Sequence, residues 1–259
     1  MKNFLSFSSS PLSRIIKAKY YDLESTLKVM KKLWQSSEIQ GFELQHLAEW
    51  QRNQPPRDND PRYDRSGAWK DSRKYKVEKI VENVKRNGVP ILSVHGNRDI
   101  GILCCSDKSD DINNAKRLIT ESVEIAKGLN AKICVFHMWN TKGDKFDLSK
   151  QKCLIKEIAL NYPKIQISIE NIPIELKNYT PYDLVKDFKW ITLDLRWAAV
   201  YDELKKFFNL RNKIVNIHIR GILEGNEWKL KEAPFTLHKA LNVIINDWKY
   251  KGLFTIEPE

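Results

Sequence analysis

The segment Ile165 to Pro173, IQISIENIP, constrains the chain more than any other. Ile165, Ile167 and Ile169 alternate with Gln166, Ser168 and Glu170, the period-two pattern of an extended strand with a carboxylate at the end of its polar side. The layout recurs downstream with Thr192 and Asp194 in WITLDL, Asn216 and His218 in IVNIHI, and Thr255 and Glu257 in LFTIEP. Each time a small polar residue stands two positions before an ionisable one, while apolar residues fill the other face. Singly, each reads as a polar residue where a strand meets a loop. Together they imply more, because parallel strands closed into a barrel deliver their ends to one rim. Three carboxylates and an imidazole gathered there repel one another or share a cation, and a divalent metal ion is the economical explanation.

The rest of the chain alternates strands with helices. A strand Phe4 to Ser8 precedes a helix around Leu23 to Trp34, where Leu23, Leu27, Met30 and Trp34 recur at helical spacing. After Gly41 comes FELQHL, whose His46 either faces the barrel mouth or is a loop residue without a role. Lys74 to Asn87 reads as a helix stopped by Gly88 and Pro90. The strand PILSVHGN then carries Ser93 and His95 on its polar side. A helix Ile112 to Leu129 begins behind Asp110 and Asp111, which favour its N-terminus. The strand KICVFHMW ends at His137. Helices are expected over Leu148 to Leu160, Pro181 to Lys186, Tyr201 to Phe208 and Phe235 to Tyr250, the last turned by Gly252 into LFTIEPE.

Eight strands and seven helices in regular order predict an α/β chain folded as a (β/α)8 TIM barrel, with an eighth helix missing after Glu257. A doubly wound nucleotide-binding sheet would want a glycine-rich first turn, and FSSSPLS has none. The stretch Ala48 to Asp71, with Pro55, Pro56, Pro61 and Gly67 among arginines and aromatic residues, reads either as a lid over the rim or as a polar insertion. Leu253, Phe254 and Ile256 have no following helix to lie against. Their cover is expected from the last helix, from the segment Pro11 to Tyr21 through Ile15 or Ile16, or from a second copy in a homodimer.

No linker divides the 259 residues, so one domain over 1–259 is expected. No apolar run is long enough to span a bilayer, and MKNFLSFSSSP lacks the core of a signal peptide, which points to the cytoplasm. Cys104, Cys105, Cys134 and Cys153 have no metal-ligand spacing. The formal charge of +11 suits nucleic acid, but its lysines are spread along helices, as at Lys28, Lys31 and Lys32, and read as a solvated surface.

The succession SVHGN, FHMWN, SIENIP, TLDLRWA, NIHIRG and TIEPE resembles the xylose isomerase-like TIM-barrel superfamily, which includes sugar (phosphate) isomerases and epimerases and endonuclease IV. The resemblance runs along nearly the whole chain. It implies one divalent ion held by Glu170, Asp194, His218 and Glu257, with manganese or magnesium suited to the oxygen-rich ligands and zinc or cobalt tolerated. It also implies Glu170 and Glu257 as the acid/base pair and His95 and His137 as residues orienting substrate oxygens. Two departures stand out. Trp197 replaces a histidine three residues after Asp194, and Arg220 replaces an acidic residue two after His218. Both are candidate substrate contacts, Arg220 for a phosphate or carboxylate.

Three functions follow. The first is a metal-dependent isomerase or epimerase working on a sugar-like small molecule through an enediolate. The second is an endonuclease IV-like enzyme on nucleic acid, with His95, His137, Glu170, Asp194, His218 and Glu257 as ligands but without the strand-six histidine or a later Asp-x-His pair. The third is an inactive binding barrel, which four retained carboxylate and imidazole ligands argue against.

Overall fold

The computed structural model describes residues 3–12, 23–46, 75–97, 99–143, 145–230, 233 and 235–258. Strands β1 (Phe4–Ser8), β2 (Gly41–Gln45), β3 (Ile91–His95), β4 (Ile133–Phe136), β5 (Gln166–Glu170), β6 (Trp190–Asp194) and β7 (Ile214–Glu224) pair in parallel in chain order. β7 turns back through a short antiparallel strand, β8 (Glu227–Lys229), and pairs in parallel with β9 (Leu253–Pro258). β9 pairs with β1, which closes eight parallel strands into a TIM barrel.

The helices follow their apolar stripes. In α1 (Leu23–Ser36), Leu23, Leu27 and Met30 are buried one and two turns apart. α2 (Val77–Asn87) stops at Gly88, whose φ of 77° lets its N–H reach back to the Val84 and Lys85 carbonyls. A short helix that the sequence pattern did not reveal, α3 (Asp99–Cys104), leads into α4 (Ser109–Gly128). α3 packs so closely on Trp139 that a side chain on Gly101 would strike the Trp139 carbonyl. Asp147 caps α5 (Leu148–Asn161), and a Thr180–Asp183 capping box with Pro181 in the first turn starts α6 (Pro181–Val185). α7 (Leu195–Val200) follows β6 with no intervening loop and is also new relative to the sequence pattern. The helix expected over Tyr201 to Phe208 is α8 (Leu204–Phe207), continued as a 3-10 turn to Lys213. The last helix is α9 (Leu237–Asn242), prolonged by a π-turn over Val243–Asp247. No helix among the described residues is long and apolar enough to cross a membrane.

Partners across parallel strands point the same way, so register decides what lies inside. Ser8, Glu43 and Ser93 pair across β1–β3; Glu170, Thr192 and Asn216 across β5–β7; Asp194, His218 and Thr255 across β6, β7 and β9. The interior is layered. At the N-terminal end Ile133, Val135, Val215 and Leu253 form an apolar floor with Leu92 and Trp190 against it. Hydroxyl and amide groups fill the middle, and titratable groups the C-terminal mouth. The main apolar core lies outside, between strands and helices.

This register corrects one expectation, and a side-chain contact excludes one of the two readings of His46. Leu253 belongs to the inner floor, not to an outer face awaiting cover, because it pairs with inward-facing Asn216. His46 turns away from the mouth, its Nδ1 2.8 Å from Ser122 Oγ on α4. Phe254 does face outward and is covered edge-on by Tyr250, with ring centroids 5.3 Å apart. Ile15, Ile16 and the stretch Ala48 to Asp71 lie outside the described residues.

Candidate metal centre

Strand ends carry the site. Glu170 closes β5, Asp194 closes β6, His218 and Arg220 point inward from β7, Glu257 from β9, and His95 closes β3, with His137 one residue past β4. Glu170, Asp194 and His218 have no exposed surface, and Glu257 is 8% exposed.

Glu170 uses its oxygens differently. Oε2 is hydrogen-bonded to His137 Nε2 at 2.8 Å and His95 Nε2 at 3.1 Å, whereas Oε1 faces His218 Nδ1 at 3.4 Å without a hydrogen bond. His95 Nδ1 is 2.8 Å from the Gly96 carbonyl, which fixes the ring and aims Nε2 at Glu170. Asp194 is held twice. Its Oδ1 accepts the Arg196 N–H at 2.8 Å as the cap of α7, and the side-chain amide of buried Asn171 clamps its backbone through both N–H and C=O. Oδ2 is thereby left facing the mouth.

Arg220 lies across the carboxylates. Its Nε and Nη2 both donate to Glu257 Oε2, at 3.2 and 3.0 Å. Nη1 stands 3.5 Å from Asp194 Oδ2, and Nη2 3.9 Å from Glu170 Oε1.

Beneath the mouth lies Glu43, which sequence reasoning missed. Its signal is the alternation of Glu43 and Gln45 with Phe42 and Leu44. Fully buried, Glu43 accepts from Ser93 Oγ at 2.8 Å and Asn216 Nδ2 at 3.0 Å, and its two oxygens lie 3.2 and 3.3 Å from His218 Nε2. Thr255 Oγ1 gives its proton to Asn216 Oδ1 at 2.9 Å, so it accepts from Ser6 Oγ at 2.8 Å. A hydrogen-bonded row therefore crosses the barrel from Ser6 through Thr255, Asn216 and Glu43 to Ser93.

The charges respond to this crowding. Burial alone would raise Glu170, yet the charges of His137 and His218 hold it well below the usual carboxylate range. Glu43 is likewise lowered, burial being outweighed by His218 and His95. Burial lifts Asp194 to about 7, with Glu170 and Glu257 adding to the effect and Arg220 opposing it. Burial disfavours the charged form of His218, but Glu43, Glu257 and Glu170 carry it well above the ordinary imidazole value. His95 is raised, against burial, by Glu170 and Glu43, while for His137 burial prevails and lowers it. Burial also works against the charge of Arg220, and Asp194, Glu257 and Glu170 more than offset it, so the guanidinium is always protonated.

The residues fit a divalent ion. Glu170 Oε1, Asp194 Oδ2 and His218 Nδ1 are buried without hydrogen-bond partners, and each belongs to a residue expected from sequence as a ligand. Buried polar atoms left without hydrogen bonds are costly, and a cation among them satisfies all three. Ligand atoms lie within 4.8 Å of one another in three overlapping groups: Glu170, Asp194 and Glu257; His95, His137 and Glu170; and Glu43, His95, His218 and Glu257. Trp197 is not brought into these groups. It sits in α7 with Arg196 stacked 4.8 Å over its ring, and its buried Nε1 has no hydrogen-bond partner among the described residues.

No family model matches the chain, and no curated protein matches its sequence. Solved structures do match its fold. A D-tagatose 3-epimerase-like protein superposes with a TM-score of 0.63 at 17% identity, over 100% of this chain and 91% of its own. D-allulose 3-epimerase from Methylomonas sp. gives 0.63 at 10% identity, over 99% and 84%. 3-Keto-D-glucoside 4-epimerase from E. coli gives 0.57 at 13% identity, over 99% and 92%. A xylose isomerase domain protein from Planctomyces limnophilus gives 0.55 at 10% identity, over 99% and 90%. The order of strands, the parallel closure and these superpositions together establish that the chain has a TIM-barrel fold, the fold it shares with these epimerase and xylose isomerase domain structures.

Proposed function

We propose that the protein is a metal-dependent isomerase or epimerase acting on a sugar, a sugar phosphate or a related polyol or keto acid. One observation carries the reading: the buried atoms Glu170 Oε1, Asp194 Oδ2 and His218 Nδ1, none of them hydrogen-bonded among the described residues, sit beside Glu257 at the C-terminal mouth of the barrel. The names of the matched structures, D-allulose 3-epimerase among them, support a sugar as substrate.

When bound, a divalent ion would polarise a substrate carbonyl and the hydroxyl beside it, lowering the cost of the enediolate. Manganese and magnesium suit a set of three carboxylates and one imidazole, and zinc or cobalt also fit it. Glu170 and Glu257 move the proton, one taking it from carbon and the other returning it. Arg220 holds only Oε2 of Glu257, and no hydrogen bond among the described residues engages Oε1, which is the oxygen we assign to proton transfer. His95 and His137 hold Oε2 of Glu170 and orient substrate oxygens entering beside it. The decisive experiment incubates candidate ketoses, aldoses and their phosphates with the protein and Mn(II) in heavy water and follows deuterium uptake at substrate carbon. No exchange with any of them would end the isomerase reading.

The grouping of His95, His137 and Glu170 favours a second reading, a phosphodiesterase related to endonuclease IV with a reduced set of metals. Cleavage of an abasic-site duplex in place of sugar exchange would select it.

A further inference from the structure

Arg220 projects from β7 into the proposed ion site. Its guanidinium spans Glu257, Asp194 and Glu170, the three carboxylates that would ligate an ion. Glu257 Oε2 accepts both Nε–H and Nη2–H from it, so the two lone pairs of that oxygen are occupied. A dication bound through Glu257 Oε2 and Asp194 Oδ2 meets a fixed positive charge at both.

We infer that Arg220 is a displaceable internal counter-cation: a divalent ion and the guanidinium compete for Glu257 and Asp194, and the freed guanidinium receives an anionic group of the substrate. This rests on the proposed isomerase reading and narrows its substrate to a phosphorylated or carboxylated sugar. The chemistry is consistent at each end. Three carboxylates within 4.8 Å of one another need a cation, and Arg220 supplies one when no ion is bound. A guanidinium displaced from carboxylates needs another oxyanion, and its planar donors fit phosphate and carboxylate alike. At 21% exposure the side chain already reaches the mouth, where substrate enters. Metal and anion then bind with positive coupling, because each removes what the other must displace.

The test is calorimetric titration of Mn(II) into the full-length protein and its Arg220→Gln and Arg220→Lys variants, each checked for folding by circular dichroism. The Gln variant is expected to bind Mn(II) about tenfold tighter than wild type, with the Lys variant between them and serving as the folded control if Gln destabilises the barrel. Repeating the titration with sulfate, a stand-in for a phosphate group, and separately with acetate distinguishes the two substrate classes. The anion that matches the substrate tightens Mn(II) binding roughly fivefold or more in wild type and leaves the Gln variant unchanged. If wild type binds Mn(II) and neither variant binds it tighter, or if neither anion changes wild-type affinity, the proposal is overturned while the isomerase reading stands. If no form binds Mn(II), the metal reading itself falls and takes this proposal with it.

Discussion

His218 Nε2 and the carboxylate of Glu43 meet 3.2 Å apart at the centre of the barrel, and neither side chain touches solvent. The contact turns His218 Nδ1 toward the mouth and holds a proton on Nε2, as a carboxylate behind a metal-bound histidine does. Glu43→Gln is therefore expected to weaken Mn(II) binding by roughly tenfold to a hundredfold with the fold preserved. Titration alongside circular dichroism measures it, and an unchanged affinity would remove Glu43 from the site.

The ligand set makes a separate prediction. Protein purified without added metal should contain about one equivalent of a divalent ion or take one up on dialysis, whereas Asp194→Ala and His218→Ala should retain little. Elemental analysis reads this directly. Undiminished metal in Asp194→Ala and Glu257→Ala would mean that the ion binds elsewhere.

Proton transfer is tested by Glu170→Gln and Glu257→Gln. Each is expected to lower deuterium exchange at substrate carbon by roughly a hundredfold to ten-thousandfold without altering thermal unfolding by more than a few degrees. A variant that retains wild-type exchange is not a proton-transfer residue.

Gly101 offers a test of packing away from the chemistry. A methyl group there meets the Trp139 carbonyl and must push α3 off the end of β4. Gly101→Ala should cost about 1 to 3 kcal/mol in denaturant unfolding.

The cysteines order themselves by exposure and ionisation. Burial pushes the Cys104 thiol up to about 12 and raises Cys105 and Cys134 as well, whereas Cys153 is exposed. Iodoacetamide at pH 8 should alkylate Cys153 first and leave Cys104 and Cys134 unmodified in the native protein, as peptide mass analysis would show.

Much of the barrel was legible because its strands carry their inside and outside in alternate residues. Ser168 with Glu170, Thr192 with Asp194, Asn216 with His218 and Thr255 with Glu257 all point inward, as their spacing implied. What the pattern did not carry was position along the barrel axis. Leu253 looked like a residue of the outer face until its pairing with Asn216 placed it on the inner floor. Glu43 belongs to the layer below the strand-end residues, and no local pattern distinguishes a middle-layer carboxylate from a rim one. α7 escaped notice because Asp194 serves both as the last strand residue and as the helix cap, with no loop residues between to announce a boundary. Arg220 stands out in the sequence as a departure, but its reach across three strands depends on side-chain length and barrel curvature, which spacing in the chain does not encode.

The row from Ser6 to Ser93 bears on how such a barrel can change over time. Its members hold one another across opposite walls, so replacing Thr255 by valine would strip Asn216 of a donor and Ser6 of an acceptor, and loosen Glu43 in turn. Single substitutions are penalised at a distance from where they occur. Positions 6, 43, 93, 216 and 255 should then vary together among descendants of this chain, while the outer apolar faces drift one residue at a time.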